Sequence, residues 1–139
     1  MKEGNIIPGG SDFPVESPNP LFGFYAAITR QDRDGIPRNA EDVQRTFQLS
    51  AEGMKDSSDF NNGWYGDQKM TREEALRSFT IWGAFAEFAE NEKGSIEKGK
   101  LADLVILSND IMVIPPKEIL STKVVATIVG GKIEYSSNK

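Results

Sequence analysis

Histidine and cysteine are both absent from the 139 residues of this chain, and the two absences exclude much of the commonest enzyme chemistry. Without a thiol there is no disulfide, no thiolate nucleophile and no cysteine-based zinc site. Without imidazole, Ser-His-Asp and Cys-His catalysis and histidine-rich metal sites cannot be assembled within the chain. Catalysis by these residues alone would have to rest on carboxylates, lysines or tyrosines. Long apolar runs are lacking too. No stretch approaches the roughly 20 residues of a membrane span, and the opening MKEGNIIPGG has no apolar signal core after its lysine, so a cytoplasmic protein is expected. Lys+Arg 16 against Asp+Glu 21 gives a net charge of -5, which repels phosphate backbones and offers no basic face to anionic lipid. Neither nucleic acid nor a membrane is expected as a partner.

What is present fits one globular domain with a modest core, at 38% hydrophobic and 27% charged. Asn5-Ile6-Ile7-Pro8 followed by Gly9-Gly10-Ser11-Asp12 reads as a short strand running into a glycine-rich turn. Pro14, Pro18 and Pro20 keep the chain extended up to Leu21. There a densely apolar helix begins, ending near Gln31-Asp32. A second, amphipathic helix is predicted around residues 40–54 from Val43, Phe47 and Ala51, which recur every four residues. Residues 55–63, rich in Asp, Ser and Asn, read as a flexible loop. Thr71 with Glu74 three residues on makes a capping box. It opens a long helix with the apolar stripe Ala75, Leu76, Phe79, Trp82, Phe85, Ala86 and Ala89, stopped by Gly94. Beyond Gly94 the period becomes strand-like at residues 101–107, 123–129 and 132–135, and Gly130-Gly131 signals a two-residue hairpin, so a small antiparallel sheet is expected.

Four blocks, taken in order, resemble the C-terminal end of the amidohydrolase superfamily, in the branch of N-substituted formamide deformylases and related exocyclic-amide hydrolases. They are Gly10-Ser11-Asp12-Phe13-Pro14-Val15; Asn19-Pro20-Leu21 with Tyr25-Ala26-Ala27-Ile28-Thr29-Arg30; Thr71-Arg72-Glu73-Glu74-Ala75-Leu76 with Thr80; and the run from Gly94 to Val105. The resemblance implies an α+β chain that is a fragment of a TIM-barrel hydrolase: residues 1–93 as the last strand and helices of an incomplete (β/α)8 barrel, and 94–139 as part of a small composite β-sandwich. In that family the Gly-Ser-Asp run follows the eighth strand, and its aspartate ligates a catalytic divalent metal, commonly zinc, and handles the proton of the attacking water. Asp12 is the matching residue, implied as both catalytic group and metal ligand. A carboxylate at the C-terminal end of a barrel strand faces the mouth where substrate binds, and a hydrolytic water needs a base that later protonates the departing amine. Read from the residues alone, Asp12 is equally well a cap on the turn into the next helix. The family's histidines and bridging acidic or modified lysine ligand come from strands one to six, none of which is in this sequence, so no metal is expected on this chain alone.

Other conspicuous residues have plainer explanations. Phe79, Trp82, Phe85 and Phe88 on one capped helix read as core rather than as an aromatic ligand box. Asp103, within an apolar strand, is expected to turn to solvent or to pair with a backbone amide. Gly9-Gly10 lacks the residues of a phosphate loop. Glu73, Glu74, Glu87, Glu90 and Glu92 read as helix-face charges, and Lys93, Lys98 and Lys100 as a solvated cluster.

Two functions follow. One is the C-terminal portion of a metal-dependent amidohydrolase of non-peptide C–N bonds, inert until joined to the N-terminal barrel portion and taking a small amide substrate only then. The other is a non-catalytic structural or interaction module that self-associates as a homo-oligomer through unpaired strand edges. A self-sufficient enzyme built on Asp12 and a second carboxylate has no recognisable constellation to support it.

Overall fold

A computed structural model describes residues 5–48 and 57–137. Helix α1, Pro20–Thr29, starts where the Asn19 side chain accepts the Leu21 amide at 3.0 Å and Pro20 occupies the first turn, where its missing N–H costs nothing. It ends as Arg30 turns left-handed and its amide returns to the Ala26 carbonyl at 2.7 Å. Helix α2, Ala40–Phe47, is capped by Asn39 and buries Val43 completely. The later part of the predicted second helix, including Ala51, lies outside the described residues. Ser57–Phe60 forms one turn of 3-10 helix, and buried Phe60 packs edge-on to Trp64 at 5.1 Å, so this end of the polar loop is ordered by an aromatic pair.

The capping box forms as the sequence predicts. The Thr71 hydroxyl accepts the Glu74 amide, and the Glu74 carboxylate accepts the Thr71 amide at 2.8 Å. The helix it opens is not continuous, however. It divides into α3, Arg72–Ser78, and α4, Ile81–Ala86, because Phe79 caps the first piece and Thr80, at φ -133° and ψ -101°, leaves helical geometry. The break rotates the apolar stripe off a single face. Phe79 still packs against the core, but Phe85 is 47% and Phe88 93% exposed, so those two are not the core residues the spacing predicts.

A second correction concerns residues 5–10. They form no strand, since a lone segment has no neighbouring parallel strand to satisfy its amides and carbonyls. The strand of the expected barrel is therefore not formed in this structure, and the class observed is α+β.

The sheet follows expectation. Strands β1 (Leu104–Leu107), β2 (Val124–Val129) and β3 (Lys132–Ser136) are antiparallel in the order β1-β2-β3. Gly130 and Gly131 take φ of 56° and 79°, the doubly left-handed turn whose twist matches that of the strands. A short helix, α5 (Pro116–Ile119), links β1 to β2. The buried cluster draws Leu21, Phe24, Tyr25 and Ala75 from the front of the chain and Ile111 and Ile119 from the rear. The Arg72 guanidinium joins the same two parts, donating to the Ile111 carbonyl and to that of Ile114 at 2.6 Å. Among the described residues no helix is long and apolar enough to cross a membrane.

Candidate functional site

The turn around Asp12 is built by its backbone. The Asp12 carbonyl accepts the Val15 amide at 2.8 Å, the Ser11 carbonyl accepts that of Glu16 at 3.2 Å, and the Phe13-Pro14 peptide is cis. Asp12 itself sits at φ 48°, a left-handed conformation that Asp tolerates better than most residues. Its side chain is exposed, and among the described residues its carboxylate takes part in no hydrogen bond or ion pair. It does not cap the following helix, because Asn19 does. Phe13 and Val15 are also presented to solvent, 68% and 74% exposed.

Beside this turn lies a cleft of about 740 Å³, whose walls include Ser11, Asn19, Phe22, Arg30, Arg33 and Phe79. The Arg33 guanidinium stacks over the Phe22 ring at 4.9 Å. Arg30 is committed elsewhere, with its Nε donating to the Trp64 carbonyl at 2.6 Å while its own carbonyl accepts the Trp64 amide at 2.9 Å. The Thr29-Arg30 block and the Gly63-Trp64 turn are thus one structural unit.

The carboxylates most strongly perturbed serve helix ends rather than this cleft. Asp42 is held down to about 2 chiefly by the Arg38 side chain, helped by the Arg38 backbone amide and by Arg45. Glu74 is held down to about 2, first by the Thr71 amide. Asp103 accepts the Gly130 amide at 2.7 Å, the second of the two arrangements expected of it. Of the small basic cluster, Lys93 pairs with Glu87 at 2.7 Å, and Lys100 donates to the Ser95 hydroxyl at 2.5 Å.

A metal centre needs three or four convergent donors. Among the described residues no group of three or more His, Cys, Asp or Glu side chains could hold a metal. The donors here do not by themselves fit the divalent metal that the resemblance implies, since Asp12 stands alone.

The Phe79 ring, expected as core, lies against both Gly9 of the Asp12 segment and Gly23 of α1, a contact that the helical spacing does not reveal. A glycine inside an otherwise apolar helix was the available signal, since such glycines often mark close packing.

Asp12 is exposed on a turn whose neighbour Ser11 lines the cleft. The sequence profile of the Amidohydrolase family matches residues 1–135, and the chain belongs to that family. It is 25% identical over 139 residues to the Bacillus subtilis protein YtcJ, named as an amidohydrolase, a match covering 99% of this chain and 22% of YtcJ. It is 32% identical over 136 residues to the Arabidopsis thaliana protein LONG AFTER FAR-RED 3, covering 97% of this chain and 19% of that one. With the N-substituted formamide deformylase of Arthrobacter pascens it shares 39% identity over 69 residues, 50% of this chain and 13% of the enzyme. An amidohydrolase crystal structure from Thermotoga maritima matches with a TM-score of 0.42 and 29% identity, over 52% of this chain and 16% of that one. The chain spans about a fifth of the length of YtcJ and of LONG AFTER FAR-RED 3. Members of this family hydrolyse amide and other C–N bonds and are generally metal-dependent.

Proposed function

We propose that this chain is the C-terminal portion of a metal-dependent amidohydrolase of non-peptide C–N bonds, that it is inactive alone, and that Asp12 is its contribution to the catalytic centre. The observation that carries this is a carboxylate exposed on a hydrogen-bonded turn, inside the stretch that the amidohydrolase profile matches, with no metal-binding group of donors among the described residues. In the complete enzyme Asp12 would supply one oxygen ligand, and the remaining donors would come from the barrel's first seven strands. Asp12 takes a proton from the water that attacks the amide carbonyl. It then delivers that proton to the amine nitrogen as the C–N bond breaks, releasing a carboxylic acid and an amine.

The test is reconstitution. This chain is combined with a polypeptide carrying the first seven strands of a relative, in the presence of zinc, and hydrolysis of an N-substituted formamide is followed. Activity that appears only in the mixture and is abolished by Asp12→Asn supports the proposal. No activity, or activity indifferent to Asp12→Asn, overturns it.

A second reading, a self-associating non-catalytic module, is favoured by the sheet. The pairs Val105–Thr127 and Leu104–Ile128 alternate between the two faces of the sheet. Val105 and Ile106, neighbours on β1 and so on opposite faces, are each half or more exposed. Apolar residues on both faces are the pattern of a sheet covered on both sides.

A further inference from the structure

We infer that Phe79 is a positioning residue for Asp12, acting through Gly9 and braced against Gly23; this rests on the role proposed for Asp12. The break between α3 and α4 is what makes the device. A helix leaves its last four carbonyls without intrahelical donors, and by ending at Ser78 α3 frees the Ser78 carbonyl to accept the Gly9 amide at 2.8 Å. The same break lets Phe79 leave the helical stripe, and its ring enters the gap between Gly9 and α1.

The fit has no slack on either side. A Cβ added at Gly9 would stand 3.0 Å from ring atoms Cε2 and Cζ of Phe79 and 2.9 Å from the Ser78 hydroxyl. A Cβ added at Gly23 would stand 2.5 Å from Cζ. Gly23 lies on α1 between core residues Leu21 and Phe24, so the ring is gripped by an element that cannot retreat. Past Gly9 the hold ends, because Gly10 has space around it and Asp12 is exposed. Gly9 is therefore the last residue held by the Ser78 carbonyl and the Phe79 ring before the carboxylate, three residues away, and the Asp12 turn hangs from that anchor. Displacements of about 1 Å in a reacting group can cost on the order of 100-fold in rate.

Two measurements test this, the first on the chain alone. Amide hydrogen exchange at Gly9 should accelerate about tenfold or more in Phe79→Ala and in Gly23→Ala, while the amides of β2 keep their wild-type rates. In the reconstituted enzyme, Gly23→Ala should lower kcat about tenfold or more with KM within about twofold, and the size-compensating pair Gly23→Ala/Phe79→Leu should recover most of the loss. A purely structural role would not give that kcat-selective loss with recovery. Asp12→Asn separates the two ideas. If it leaves hydrolysis intact, the role of Asp12 fails; if it abolishes hydrolysis while Gly23→Ala and Phe79→Ala leave kcat unchanged, the positioning role fails. Should no activity be reconstituted, unchanged exchange at Gly9 in both variants would still overturn the clamp.

Discussion

The carboxylate of Asp103 accepts the Gly130 amide at 2.7 Å, so the residue just before β1 holds the turn that joins β2 to β3 across 27 positions of sequence. The turn also reaches back through the Gly131 amide, which donates to the Ala102 carbonyl at 3.0 Å. Replacing Asp103 by Ala leaves one turn amide to water and should cost about 1 kcal/mol, the usual net worth of such a bond. A loss in urea denaturation with unchanged m, together with faster exchange at Gly130, is the expected result. An unaltered midpoint would mean that the bond contributes nothing.

Gly130→Val should be more damaging. Position 130 sits at φ 56°, where a β-branched residue is strained, and about 1–2 kcal/mol is lost by forcing a side chain into that region. Thermal unfolding followed by circular dichroism measures the effect. Ser137→Ala, beyond the turn, is the control that should change little.

Thr71→Ala removes the hydroxyl that accepts the Glu74 amide and should cost about 1 kcal/mol, the typical value of an N-cap. Thr71→Ser should restore most of it. Equal destabilisation by both substitutions would place the cost elsewhere than in the cap.

Acid should unfold the protein through two identifiable groups. Asp42, held down by the Arg38 side chain, and Glu74, held down by the Thr71 amide, both titrate near about 2 in the folded chain, below their ordinary 3.8 and 4.5. A lowered folded pKa gives stability that is fully present above the ordinary value and is lost as pH falls toward the folded one. The melting temperature should therefore stay level above about 4.5 and decline between about 4.5 and 2. In the Asp42→Asn/Glu74→Gln double variant this decline should be shallower, and an identical slope would exclude these residues as its source.

Light scattering on the chain alone should find a dimer or larger species, given the exposed Val105 and Ile106 on opposite sheet faces and the exposed Phe88. A monodisperse monomer would count against self-association. It would leave the unassembled-enzyme reading untouched.

Features decided by neighbours in sequence were legible without a structure. The Thr71–Glu74 box and the Gly130-Gly131 hairpin each follow from local chemistry within a few residues. Features decided by distant partners were not. The spacing of Phe79, Trp82, Phe85 and Phe88 is helical, but the Gly9 amide and the space beside Gly23 favour a break at 79–80 that no periodicity registers. Residues 5–8 have strand-like composition, yet a strand exists only beside another. The contact of the Phe79 ring with Gly9 joins positions 70 apart in the chain, too far for any local pattern to connect the two.

Because the Arg72 guanidinium lies against the carbonyls of Ile111 and Ile114, helix α3 is latched to the stretch leading into α5. A protease nick near position 93 would consequently yield two pieces that stay together under native conditions and separate only in denaturant. Each piece alone would carry half of a shared interior, Leu21 and Phe24 on one and Ile111 and Ile119 on the other.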